Sequence, residues 1–268
     1  MTADLTAVRQ KLARAKNKLD ALSKEAAAYL DPAPYRFVVE TRGYTEAITC
    51  RIDRPPNPDW AHELAEIAYQ ARSSLDLLIR QLVIDSGNVP KRGTQFPIFI
   101  ARNEYTTKRG RESPRDRMLK GVATRHRRVI DNLQPYQRAR KAHEDPLAVL
   151  QAVSNRDKHN DIYTAVAAVK KPRFKLARRD IDDLIVDFTG DKFRPYAMAD
   201  GDELISLNWM PPPGSSQGTL NTYVHLEVMD LETDLGFHSD RLFTLADIDR
   251  AVLHTSGIVD RFAARIRP

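Results

Sequence analysis

Two short polar clusters interrupt otherwise apolar helical patterns: Arg72-Ser73-Ser74-Leu75-Asp76 and Asn155-Arg156-Asp157-Lys158-His159. Arg72 and Asp76 lie four residues apart and so share one helix face, in a row with Ala65, Tyr69, Ile79 and Val83. Asn155 and His159 have the same spacing, with Ala152 and Ile162 on their face. A row so apolar is half buried, and a lone charge there costs several kcal/mol. If the two helices pack together, Arg72, Asp76, Asn155, Asp157, Lys158 and His159 converge. Such a set suits metal-independent phosphodiester cleavage. His159 would shuttle protons near neutral pH, and Arg72 or Lys158 would stabilise charge on the phosphorane-like transition state. Asp157 or Asp76 would orient the imidazole. The same residues also fit a buried polar network that fixes the register of two helices. Both readings stand on the sequence alone.

Other chemistries find little support. No two histidines have metal-ligand spacing on one helix, there is no Cys-x-x-Cys, and no phosphate-binding glycine loop appears, so neither metal nor cofactor is expected. The single cysteine, Cys50, falls in an alternating strand pattern and reads as core. It has no partner for an intramolecular disulfide, and the first residues carry Asp4, Arg9 and Lys11 in place of an apolar signal core, so a cytoplasmic setting is expected. No stretch approaches the roughly 18 apolar residues of a membrane span.

The net charge of +6 conceals a division along the chain. Residues 91–179 hold 23 basic and 8 acidic side chains, whereas residues 180–268 hold 7 and 16. The basic run through Lys108, Arg109, Arg111, Arg125, Arg127 and Arg128 has the make-up of a polyanion-binding surface, with RNA the expected polyanion. An acidic protein partner, or the acidic last third of this chain or of a second copy, fits the same charge. Aromatics in the run are limited to Phe96, Phe99, Tyr105 and Tyr136, so phosphate contact is expected over base stacking.

The elements that position these residues are of uneven clarity. Leu5, Val8, Leu12, Ala15, Leu19, Leu22, Ala26 and Tyr29 form one stripe of an N-terminal helix (1–30) that Pro32 and Pro34 end, and dimerisation through the stripe is a second use for it. Alternation around Ile48, Cys50 and Ile52 predicts a hairpin within 31–56, turning at Arg42-Gly43. A helical centre is expected over 57–169, with a core stripe from Leu64 to Leu82. It is interrupted by a partly ordered basic excursion over 89–135. Asp145-Pro146 opens the second cluster's helix, while Ile162 to Val169 suits a strand or a continued helix. Residues 170–243 read as strands, with an exposed loop at Pro211-Pro212-Pro213, and a C-terminal helix follows over 244–268. The fold class expected is α+β in one domain, 1–268: a central helical bundle, a β-hairpin, a small antiparallel sheet, and long N- and C-terminal helices.

Four motifs carry a resemblance. Arg72-Ser73-x-Leu75-Asp76, Thr94-Gln95-Phe96-Pro97-Ile98-Phe99, Leu133-Gln134-Pro135-Tyr136 and Asn155-x-Asp157-Lys158-His159 resemble an uncharacterised family of bacterial and phage proteins. The helices are also distantly similar to HEPN domains, which include metal-independent ribonucleases of toxin and defence systems that act as dimers. That resemblance implies RNA as substrate and a signature of arginine, four to six residues, then histidine. Arg156 stands only three positions before His159, outside that spacing, whereas Arg138 and His143 satisfy it.

Overall fold

The structure, a computed structural model, describes residues 2–42, 45–108, 110–157, 164–178, 181–187, 196–208, 224–238 and 242–266. The protein is α+β, and it divides into two compact units. The first comprises Met1–Leu22, Asp59–Ile162 and Ala246–Pro268, and the second Ser23–Pro58 and Tyr163–Leu245.

The helical unit is built around α2 (Asp59–Asp85), in which 14 of 27 residues are buried. That is more than one stripe, so α2 is covered on several sides. The first part of α1 (Thr6–Leu30) lies against it with Val8, Leu12, Ala15, Leu19 and Leu22 buried. The two run antiparallel, because Asp4 N donates to Gln81 Oε1 at 2.9 Å near one end and Lys18 pairs with Glu66 at 2.9 Å towards the other. The final helix, α7 (Leu245–Ala263), contributes Ile248, Val252, Val259 and Phe262 to the core, close to the stripe expected of it.

The C-terminus of α2 closes in a Schellman arrangement. Asn88 N donates to Val83 O at 3.1 Å and Gly87 N to Ile84 O at 2.9 Å, with Gly87 at φ +74°. Gly121, at φ +87°, passes so close to this cap that an added Cβ would lie 3.0 Å from Val83 Cγ1 and 3.2 Å from Asn88 Cβ.

The stretch expected as a partly ordered excursion is part of the core. It contains α3 (Arg102–Thr106), α4 (Pro114–Met118) and α5 (Thr124–Asn132), and it buries Phe96, Ile98, Tyr105, Met118, Leu119, Val122, His126 and Ile130. Its helices are five to nine residues long, too short to show a periodic stripe, and this hid their packing in the sequence. A 3-10 segment, Pro135–Glu144, leads to α6 (Pro146–Asp157), whose first turn is capped by Asp145 Oδ1 accepting from Leu147 N at 2.9 Å. Within the 3-10 segment Ala139 is held at φ +49°.

The second unit is antiparallel β. The expected hairpin is β1 (Tyr35–Arg42) with β2 (Thr45–Ile52), in register from Tyr35↔Ile52 to Arg42↔Thr45, and its expected turn at Arg42-Gly43 runs into residues outside those described. Residues 164–169 are strand, so the helical centre ends earlier than expected. They begin β3 (Thr164–Arg178), followed by β4 (Ile181–Asp187), β5 (Tyr196–Met198) and β6 (Glu203–Asn208), and then β7 (Val224–His238) and β8 (Leu242–Thr244). Pairing of β3 along β7, from Thr164↔His238 to Arg178↔Val224, decides an alanine-rich run that periodicity left open. The hairpin does not stand alone: β6 extends it into the order β1-β2-β6, and the second sheet runs β4-β3-β7-β8 with β5 beside β3. The loop expected at Pro211-Pro212-Pro213 lies outside the described residues. Cys50 is core as expected, packed with Met198 and flanked by Tyr35, Phe37, Ile52 and Leu204, and burial pushes its thiol up to about 11.

Gly121→Ala is expected to destabilise by about 2–3 kcal/mol, combining a strained φ with a clash against α2. Gly87→Ala, at a similar φ but with nothing within 4 Å of its Cβ, should cost only about 1 kcal/mol. Urea unfolding of the two variants beside the parent checks the ranking.

Candidate functional site

The first cluster is bound to an extended strap rather than open to solvent. Arg72 is 9% exposed on α2 and donates from each of its three nitrogens. Nη1 donates to Asp76 Oδ1 at 2.6 Å, Nη2 to Phe96 O at 2.7 Å, and Nε to Gln151 Oε1 of α6 at 3.1 Å. Asp76 Oδ1 also accepts from Phe96 N at 2.8 Å, so both backbone groups of Phe96 are held by the Arg72–Asp76 pair.

Residues 95–99 have no regular secondary structure, and buried backbone groups there need partners from outside the strap. Gln134, 1% exposed, supplies the next ones: its Oε1 accepts from Phe99 N at 3.2 Å, and its Nε2 donates to Pro97 O at 2.9 Å. Tyr136 N donates to Phe99 O at 3.2 Å. Three of the four motifs singled out in the sequence therefore meet in one place, with strap 94–99 clamped from α2 on one side and from residues 134–136 on the other.

Of the six residues expected to form a catalytic set, Arg72 and Asp76 are brought together. Asn155 is exposed on α6, one turn beyond Gln151. Asp157 ends that helix in backbone terms, with nothing described of its side chain, and Lys158 and His159 lie outside the described residues. Sequence reasoning missed Gln151. Its signal was its place four residues before Asn155, on the face of α6 that packs against α2.

Of the basic residues expected to meet a polyanion, Lys108, Arg111, Arg125 and Arg128 are exposed, and Arg109 lies outside the described residues. Arg127 is half-buried and donates from Nε to Val122 O at 2.8 Å. Arg125 pairs with Asp85 at 3.0 Å beside an open cleft of about 530 Å³ between the α2 C-terminus and the start of α5. Ion pairs of this basic segment among the described residues include Arg115 with Asp116 and Asp131, Lys120 with Glu112, Arg125 with Asp85, and Arg138 with Asp145. No described partner neutralises Lys108, Arg111 or Arg128.

Beneath Arg125, the His126 ring is fully buried against Phe262 and faces Asp85 at 3.2 Å through Nε2, while its Nδ1 has no hydrogen-bond partner. Burial holds the His126 pKa below its ordinary value, more than Asp85 raises it, and burial lowers His254 likewise. Among the described residues, no group of three or more His, Cys, Asp or Glu side chains could hold a metal ion, and no helix is long and apolar enough to cross a membrane. Comparison of the chain with family models, with curated proteins and with solved structures finds no match.

Two outcomes follow from this geometry. Arg72→Met should lower the unfolding free energy by about 3 kcal/mol by leaving Asp76 and Phe96 O without their donor, and Arg72→Lys should recover little, since an ammonium lacks the fork. Urea titration checks both, and a lysine variant as stable as the parent would contradict the clamp. The histidines set the second. The unfolded chain takes up protons at His126 and His254 near pH 6.5 while the folded chain resists, so stability should fall as the pH drops below about 6.5. Unfolding midpoints at pH 7.5, 6.5 and 5.5 measure this, and the fall should be shallower in His126→Gln.

Proposed function

We propose that this protein engages RNA through the exposed basic face of its helical unit, in the cytoplasm. One observation supports the reading above others: the described cations of residues 91–141 are carried on a core-anchored segment, yet Lys108, Arg111, Arg117, Arg128, Arg140 and Lys141 have no ion pair among the described residues. An excess of unpaired like charges on one ordered segment repels itself, and a polyanion relieves that repulsion while releasing its own counterions. On the resemblance of its helices to HEPN domains, we assign the binding to a defence or toxin-like role.

Cleavage, which that resemblance also implies, would rest on Asp157, Lys158 and His159, because every donor nitrogen of Arg72 is committed elsewhere. Incubation with RNA in EDTA beside His159→Ala tests that step, and equal behaviour of the two proteins removes it. A second reading, a non-enzymatic module that binds an acidic protein, is favoured by the structural role of the Arg72 network.

Binding to single-stranded RNA across a salt series separates the two. Log affinity should fall linearly with log salt, and the triple variant Lys108→Glu, Arg111→Glu, Arg128→Glu should lose about 2 from the slope, at roughly 0.7 per phosphate contact. A flat dependence in the parent protein would contradict RNA engagement and favour the protein partner.

A further inference from the structure

The sequence favours phosphate contact over base stacking, because its basic segment holds few aromatics. Folding changes that by collecting three of them. Phe99, Tyr105 and Tyr136 form a continuous cluster with ring centroids 5.2 and 5.9 Å apart. The cluster ends at Tyr136, whose partly exposed ring lines a cleft of about 470 Å³. That volume is within the range of small-molecule sites, about 300–1,000 Å³.

The cleft is close to neutral although its surroundings are basic. At its floor the Asp131 carboxylate is satisfied by a two-point pair from Arg115, at 2.9 and 2.7 Å, and by the Tyr105 hydroxyl at 2.8 Å. Burial and the hydrogen bond to Asp131 raise the Tyr105 pKa, and burial raises that of Tyr136, so both rings stay neutral. Two of the rim groups present acceptors. Gln137, exposed, donates its Nε2 to Asp131 O at 3.1 Å, and its Oε1 is an acceptor. Asp116, half-exposed, takes the Ser113 hydroxyl on Oδ2 at 2.7 Å and has the Arg115 guanidinium 3.6 Å from Oδ1, and each oxygen keeps a further lone pair. Arg102, exposed and without an ion pair among the described residues, lines the rim and is free to meet a phosphate.

A neutral aromatic wall, an acceptor-rich edge and one cation at the mouth suit a nucleotide whose base has left its stack. We propose that this cleft receives one unpaired base of a bound RNA, stacked on Tyr136, and that it prefers guanine. Guanine offers two adjacent N–H donors, at N1 and N2, to the Asp116 carboxylate, whereas uracil offers one. The proposal rests on the RNA reading above and supplies its specificity.

Anisotropy with two labelled RNA octamers, all uridine or uridine with one central guanosine, tests it on the full chain. The parent should bind the guanosine octamer about tenfold more tightly. Asp116→Asn should erase that preference, with a larger loss on the guanosine octamer than on oligouridine. Tyr136→Ala should lose about tenfold on the guanosine octamer. Arg102→Ala, at an exposed position that leaves folding intact, should lower the salt slope by about 0.7 and keep the preference. Parent binding without a guanosine preference, or a preference that survives both Asp116→Asn and Tyr136→Ala, overturns the base site and leaves RNA engagement standing. Failure of the parent to bind either octamer overturns RNA engagement, and the base site with it. Circular dichroism on each variant separates lost contact from lost fold, and if Tyr136→Ala unfolds, the Asp116 and Arg102 variants decide.

Discussion

The helical unit depends on a single guanidinium. Arg72 is buried on α2, and the cost of removing its charge from water is offset only because all its nitrogen donors meet acceptors: a carboxylate, a backbone carbonyl and an amide oxygen. Those acceptors come from α2, strap 94–99 and α6, so one side chain joins three parts of the chain far apart in sequence. The strap has no ladder of its own, and without Arg72 and Asp76 both backbone groups of Phe96 would lose these partners.

The basic segment inherits its order from this clamp. The segment that carries α3, α4 and α5 is tied at its start by strap 94–99 and at its end by Gln134 and Tyr136, which hold the same strap from the other side. Between those ties the chain has only short helices, each too weak to persist alone. Fixed at both ends, they hold Tyr105 and Ile130 in the core and keep Lys108, Arg111 and Arg128 at the surface. Arg72, Arg115 and Arg125 are satisfied by carboxylates, whereas Lys108, Arg111 and Arg128 have no ion pair among the described residues.

Long periodic stretches were legible in the sequence. The stripes of α1, α2 and α7, and the alternation at Ile48, Cys50 and Ile52, each follow from one repeating spacing. The four-residue spacing of Arg72 and Asp76 in an apolar row also marked them as a half-buried pair that compensates its own charge. Their partner Phe96 was not legible as such, because a backbone carbonyl looks the same at every residue. Nor was the packing of residues 96–130, where Tyr105, Met118 and His126 reach the core from separate short helices. The fate of residues 164–169 was undecidable locally, since it is set by pairing with β7 some seventy residues later.

Hydrogen exchange of the full protein, with and without single-stranded RNA, addresses the division between an inner clamp and an outer binding face most directly. The Phe96 amide, held by Asp76, should already exchange slowly without RNA and should not change when RNA is added. New protection should appear over residues 102–141. Protection of residues 72–76 and 151–157 on adding RNA, with none over the basic face, would contradict that division and return the polar clusters to the role of a substrate site.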